Sequence, residues 1–135
     1  MIEFTVLGEP LGKARPRVTQ RGTYTPAKTR AREKLIRAQY IQNGFLPAAK
    51  DVPLMLSIEA LMQIPKSASG KRKLAMAAGE THPLKRPDCD NIVKLVADAL
   101  NGVAYHDDSQ IVEIRCVKRW AYTPMTIIRI LEVAP

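Results

Sequence analysis

Five of the thirteen acidic residues in this chain fall between Asp88 and Asp108: Asp88, Asp90, Asp98, Asp107 and Asp108. Carboxylates gathered in one spot repel one another and raise each other's pKa unless a cation intervenes. Oxygen ligands suit a hard divalent ion, Mg²⁺ or Mn²⁺, which keeps waters and takes one or two carboxylates beside phosphate oxygens. Such an ion polarises a phosphoryl oxygen and delivers a hydroxide-like water for in-line attack. Lys94, one helical turn beyond Asp90 on a polar stripe with Asn91 and Asp98, is placed to offset charge building on a scissile phosphate. Taken singly, each acid has an ordinary explanation. Asp90 can cap a helix, Asp98 can pair with Lys94 at i, i+4, and Asp107-Asp108 can be turn residues before Ser109. Their joint spacing in a cation-rich chain favours a metal site.

For the acids to meet, the surrounding elements must return them to one place. Pro87 biases Arg86 toward an extended backbone, and a helix is expected to begin near Asn91. If residues 88–90 are extended, Asp88 and Asp90 point one way and Cys89 points inward. The helix presents Ile92, Leu95, Val96, Ala99 and Leu100 to a core and closes at Asn101-Gly102. From Asn91 to Leu100 it advances about 15 Å. The residues from Asn101 to Asp108 reach roughly 26 Å when extended. That length permits Asp107 and Asp108 to come back beside Asp88 and Asp90.

The rest of the chain reads as strands and helices sharing one domain, 1–135. Ile2, Phe4 and Val6 alternate with Glu3 and Thr5 as a first strand. Residues 13–18 face Thr23-Tyr24 across Gln20-Arg21-Gly22 as an irregular hairpin. Thr25-Pro26 reads as an N-cap followed by a first-turn proline, opening a helix to about Gln42. Its core face is expected to be Ala31, Leu35, Ala38 and Ile41. Leu54, Leu56, Ile58 and Ala60 mark a second strand. Residues 66–86 read as a long exposed connection with a short helix over 71–78. Strands over 110–118 and 126–133 complete the chain. The predicted fold is α/β (α+β), a mixed sheet of about four to five strands with two main helices packed on it.

Composition narrows the class. No apolar run approaches bilayer-spanning length, and Met1–Val6 lacks the features of a signal peptide, so a soluble cytoplasmic protein is expected. Cys89, Cys116, His82 and His106 have no close-pair spacing of the structural zinc type. The net charge is +8 over 135 residues, and it is unevenly spread. Residues 1–86 carry 16 Lys+Arg against 6 Asp+Glu, whereas residues 87–135 carry 5 against 7. A basic half beside an acidic island suits a polyanion held by one part and a cation held by the other. Between Lys13 and Arg37 lie nine basic residues and one acid, Glu33. Lys13, Arg15, Arg17, Arg21, Arg30, Lys34 and Arg37 are the candidate phosphate contacts there, joined by Lys71, Arg72, Lys73, Lys85 and Arg86.

Three blocks then carry a resemblance: Lys85-Arg86-Pro87-Asp88-Cys89-Asp90-Asn91-Ile92-Val93-Lys94, Asp98-Ala99-Leu100-Asn101-Gly102, and Tyr105-His106-Asp107-Asp108-Ser109-Gln110-Ile111-Val112. In order and interval they resemble the RusA family of Holliday junction resolvases. Gly8-x-Pro10, Lys13-Ala14-Arg15-Pro16-Arg17 and Tyr24-Thr25-Pro26 look like the N-terminal signature of its phage and prophage members. Residues 27–84 match only in general character. The resemblance implies a Mg²⁺-dependent homodimer, with Mn²⁺ able to substitute, that makes paired nicks in four-way junction DNA. It implies Asp88, Asp90 and Asp108 as metal-binding carboxylates, Asp107 as a further candidate, and Lys94 as catalytic lysine. A non-catalytic branched-DNA-binding protein and a metal-dependent ribonuclease are the alternatives.

Overall fold

In the computed structural model, which describes residues 1–14, 17–24 and 26–134 apart from the side chains of Arg17, Thr23 and Tyr24, the expected alternation at the N-terminus becomes β1 (Ile2–Leu7). Phe4 and Val6 are buried there. A short hairpin of β2 (Arg17–Thr19) and β3 (Gly22–Tyr24) follows, and then α1 (Ala27–Gln42). Next come β4 (Leu54–Gln63), α2 (Gly70–Ala77), α3 (Cys89–Leu100), β5 (Ile111–Ala121) and β6 (Met125–Glu132). A single helical turn, Asp108–Gln110, leads into β5.

The main sheet runs β1-β6-β4-β5, and only β4 and β5 are parallel. A parallel pair needs a crossover. Here α2 and α3 supply it, so α3 enters and leaves beside β5. That placement decides which residues can share a site.

Leu54, Leu56, Ile58, Ala60 and Met62 alternate along β4 and are all buried. Together with Phe4, Val6 and Ile128 from neighbouring strands and with Ile36, Tyr40, Ile92, Leu95 and Leu100 from α1 and α3, most of them form one core. Truncating a fully buried leucine such as Leu95 to alanine costs about 2–5 kcal/mol, so α3 is held firmly against the sheet. Its expected core face is the observed one: Ile92, Leu95, Val96, Ala99 and Leu100 are buried.

The α1 face differs from expectation. Leu35 is 39% exposed and Ile41 59%, while Thr29, Arg32, Ile36 and Tyr40 are buried. Tyr40 packs edge-on against Phe4, with ring centroids 5.8 Å apart. The Arg32 guanidinium donates to the carbonyls of Leu7, Gly8 and Glu9 at 2.9–3.2 Å. Those three bonds compensate for burying a charge. Gly8 has φ +106°, and a Cβ there would lie 3.2 Å from Arg32 Nη1, so the close approach needs glycine.

Residues 66–86 are anchored rather than wholly exposed. The short helix appears as α2, where Ser69 Oγ accepts the Arg72 N–H at 3.2 Å. Met76, Ala68 and Ile64 are buried in a second small core against Trp120 of β5. Among the described residues no helix is long and apolar enough to cross a membrane.

Candidate active site

α3 starts at Cys89, two residues before the expected Asn91, with Asp88 as its extended N-cap (φ −75°, ψ 152°). Asp90 therefore stands in the first helical turn, not in an extended segment. Cys89 faces inward as expected, its Sγ 3.7 Å from the Cys116 carbonyl oxygen. Burial and the neighbouring Cys89 push the Cys116 thiol up to about 12. Aspartate at an N-cap ordinarily accepts a backbone N–H of the first turn. Asp88 makes no such bond. It and Asp90 are exposed and, among the described residues, form no ion pair. Two carboxylates thus stand with free oxygens at the positive end of a helix dipole, where negative charge is favoured. Paired hard donors with unoccupied lone pairs fit Mg²⁺, which typically takes one or two carboxylates and completes its shell with water and phosphate.

The corner before Asp88 is held from β5. Lys118 Nζ donates to the carbonyls of Lys85 at 2.7 Å and Pro87 at 3.1 Å. On the other side, the Lys13 N–H donates to the Asn91 carbonyl at 2.8 Å. A Cβ on Gly12 would fall 2.9 Å from Asn91 Cβ and 3.0 Å from Pro87 Cβ, so only glycine lets the 11–14 segment lie this close. Leu11–Ala14, Arg86, Pro87, Asp88 and Asn91 line an open cavity of about 710 Å³, a size that takes a nucleotide. Lys118 and Gly12 were not anticipated. Nothing local in a strand pattern marks Lys118, whereas the Gly12-Lys13 pair was a readable hint of close approach.

Lys13 was expected on phosphates, but its side chain is 17% exposed and occupied internally. Its Nζ lies 2.6 Å from Glu33 Oε1 and 3.3 Å from Asp98 Oδ2. Burial alone would lower its pKa, yet the bonds and charges of Glu33 and Asp98 outweigh that and raise it. Asp98 therefore pairs with Lys13, not with Lys94 as expected. Lys94 is exposed, one turn beyond Asp90.

The largest correction concerns the second pair of acids. Loop residues 101–105 fold tightly onto the end of α3: Ala104 N–H donates to the Leu100 carbonyl at 2.9 Å, and Tyr105 Oη to the Ala97 carbonyl at 2.6 Å. Burial raises the Tyr105 pKa, and the charges of Asp108, Asp98 and Asp107 raise it further. The twelve residues of α3 advance about 18 Å. Its start faces Cys116 and its end faces the beginning of β5, which sets Asp108 away from Asp88 and Asp90. Among the described residues no three His, Cys, Asp or Glu side chains stand close enough to share a metal ion. The loop is long enough to return, as the sequence suggested, but its hydrogen bonds keep it at the far end.

Asp107 and Asp108 are also distinguished. Asp107 caps the turn before β5, its Oδ2 accepting the Ser109 N–H at 3.2 Å while Gln110 Oε1 accepts the Asp107 N–H at 3.3 Å. Hydrogen bonds from Ser109 hold its carboxyl below the usual range. Asp108 is exposed and has no such duty.

Of the expected basic contacts, Arg21, Arg30, Lys34, Lys71, Arg72, Lys85 and Arg86 are exposed, and Lys73 is half-buried. Arg37 is exposed but donates through Nε to the Ala99 carbonyl at 3.2 Å. Arg15 and the Arg17 side chain lie outside the described residues.

Residues 8–131 match a family model described as endodeoxyribonuclease RusA. All three sequence blocks lie within that span. A relative in Bacillus subtilis (strain 168), named uncharacterized protein YqaN, is 32% identical over 142 aligned positions, covering 98% of this chain and 97% of the relative.

Proposed function

The chain belongs to the RusA endodeoxyribonuclease family, which resolves Holliday junctions, and from that premise we propose that it nicks four-way junction DNA at a Mg²⁺ site founded on Asp88 and Asp90. The observation that carries this reading is the pair of free carboxylates at the start of α3, one of them an N-cap that does no capping. When bound, the ion would supply a hydroxide-like water and polarise the scissile phosphoryl oxygen. The chain's own groups do the rest. Lys94 offers an ammonium to charge developing on the phosphate. Arg86 and the 11–14 segment wall the cavity beside Asp88, and the exposed cations of α1 and α2 hold the backbone of the arms without reading bases.

Asp108 joins this site from a second copy. β5 is an edge strand, and Val112 and Ile114 are 59% and 55% exposed on it. They lie between Asp108 at one end and Cys116, which touches Cys89 at the start of α3, at the other. A two-fold axis near this stretch exchanges the ends and carries Asp108 of each copy toward Asp88 and Asp90 of the other. Two such composite sites, related by the axis, account for paired nicks.

The reading is tested with labelled four-way junction and purified protein. Cleavage is expected with Mg²⁺, none with EDTA, and none from Asp88→Asn or Asp90→Asn although both still bind the junction. Nicking by either variant would remove the metal assignment.

A further inference from the structure

Leu84 is 96% exposed, the most exposed of the large apolar residues described. A single exposed leucine is unremarkable on a loose loop, but this one is held on both sides. Pro83 before it is buried. Lys85 after it has its carbonyl gripped by Lys118 at 2.7 Å and its ammonium 5.6 Å from the centre of the Trp120 ring. Leu84 is therefore presented rigidly to solvent four residues before Asp88. Leu84 forms one wall of a shallow cavity of about 310 Å³ that Arg72, Ala75, Met76, Thr81, His82 and Trp120 also line.

The surroundings point to one class of occupant. Residues 66–87 contain six Lys+Arg and one acid, Glu80, which suits a polyanion. Trp120, His82 and Arg72 are among the cavity's lining residues, and aromatic rings and guanidinium planes are the groups on which unstacked bases rest. Trp120 lies two residues beyond Lys118 on the same face of β5, about 7 Å along the strand, and Lys118 touches the Pro87 carbonyl next to Asp88. The cavity and the proposed site of hydrolysis are thus linked through neighbouring residues on one face of β5.

We propose that Leu84 is a wedge which opens a base step at the junction branch point, and that the Trp120–His82–Arg72 cavity receives the unstacked nucleobase. Apolar side chains inserted between base steps kink duplexes in this manner. The inference rests on the junction-nicking reading and adds what selects the cut position: the step that opens most easily places its phosphate at Asp88. It also gives the 66–86 segment a task beyond phosphate contact.

The test uses four-way junctions carrying 2-aminopurine at successive positions around the branch point, with fluorescence read in Ca²⁺ and cleavage in Mg²⁺. Wild-type protein should brighten one position near the cut. Leu84→Ser, whose side chain supports no fold contact, should lose that signal and cut intact junction about tenfold more slowly, the scale of one lost base-stacking contact. A junction with a mismatch already open at that step should be cut by Leu84→Ser and wild type alike. Cutting by wild type without brightening, or equal cutting of intact junction by Leu84→Ser, overturns the wedge and leaves the nuclease reading standing. Brightening by a wild-type protein that cuts nothing keeps the base site and sinks the nuclease reading.

Discussion

Replacing Lys13 by methionine should destabilise the protein without weakening its phosphate contacts. Lys13 and Glu33 are 17% and 16% exposed at the side chain, and Asp98 is 35% exposed. Exposed ion pairs contribute about 0–1 kcal/mol, whereas removing one partner of a buried pair costs about 3–5 kcal/mol. This half-sheltered triad falls between, at about 2 kcal/mol, because Glu33 and Asp98 are left facing each other. For a domain of this size that corresponds to a fall in Tm of roughly 6–10 °C. The Lys13 pKa is raised in the fold. Its contribution is therefore complete below the unfolded value of 10.5 and drains away as pH climbs through the folded value, so the Tm gap between wild type and Lys13→Met should close only in that alkaline window. The assay is thermal melting across pH, paired with junction binding across salt concentrations. A Tm within about 1 °C of wild type, or a binding slope against log salt that falls by about one unit, would show that Lys13 faces DNA and not Glu33 and Asp98.

Three further expectations concern the site itself. Asp108→Asn should abolish nicking, while Asp107→Ser, which keeps a side-chain acceptor for the Ser109 N–H, should retain it; the reverse order in a junction-cleavage assay would reassign the ligand. Lys118→Met should lower kcat and raise the Mg²⁺ concentration needed for half-maximal cleavage, with junction affinity little changed, because it frees the Lys85 and Pro87 carbonyls beside Asp88. A metal titration that is unmoved by Lys118→Met would show that the corner holds without this clamp.

Much of the fold was readable because its periodicities are clean. The α3 core stripe, the alternation of β4 and the strand after Pro124 follow directly from where apolar residues recur. The α1 face is not legible in the sequence because two of its inward positions, Thr29 and Arg32, carry polar side chains, and the burial of Arg32 depends on distant backbone carbonyls. Lys13 was misread for the same reason: Glu33 and Asp98 are remote in sequence, so its pairing is invisible until α1 and α3 are packed. The acids at the two ends of α3 stand out in the sequence by type and spacing, but their meeting there rests on loop length alone. Length allows a return. The bonds of Ala104 and Tyr105 to the end of α3 decide against it within one chain.

The composite site is tested most directly by mixing two inactive proteins. Asp88→Asn and Asp108→Asn, each alone, should leave four-way junction uncut in Mg²⁺. When the two are co-expressed so that mixed dimers form, one site of each mixed dimer regains Asp88, Asp90 and Asp108, and single nicks should reappear. If mixed dimers are recovered and the junction stays intact while wild type cuts it, the three aspartates do not meet across two copies, and the arrangement proposed for this enzyme is wrong.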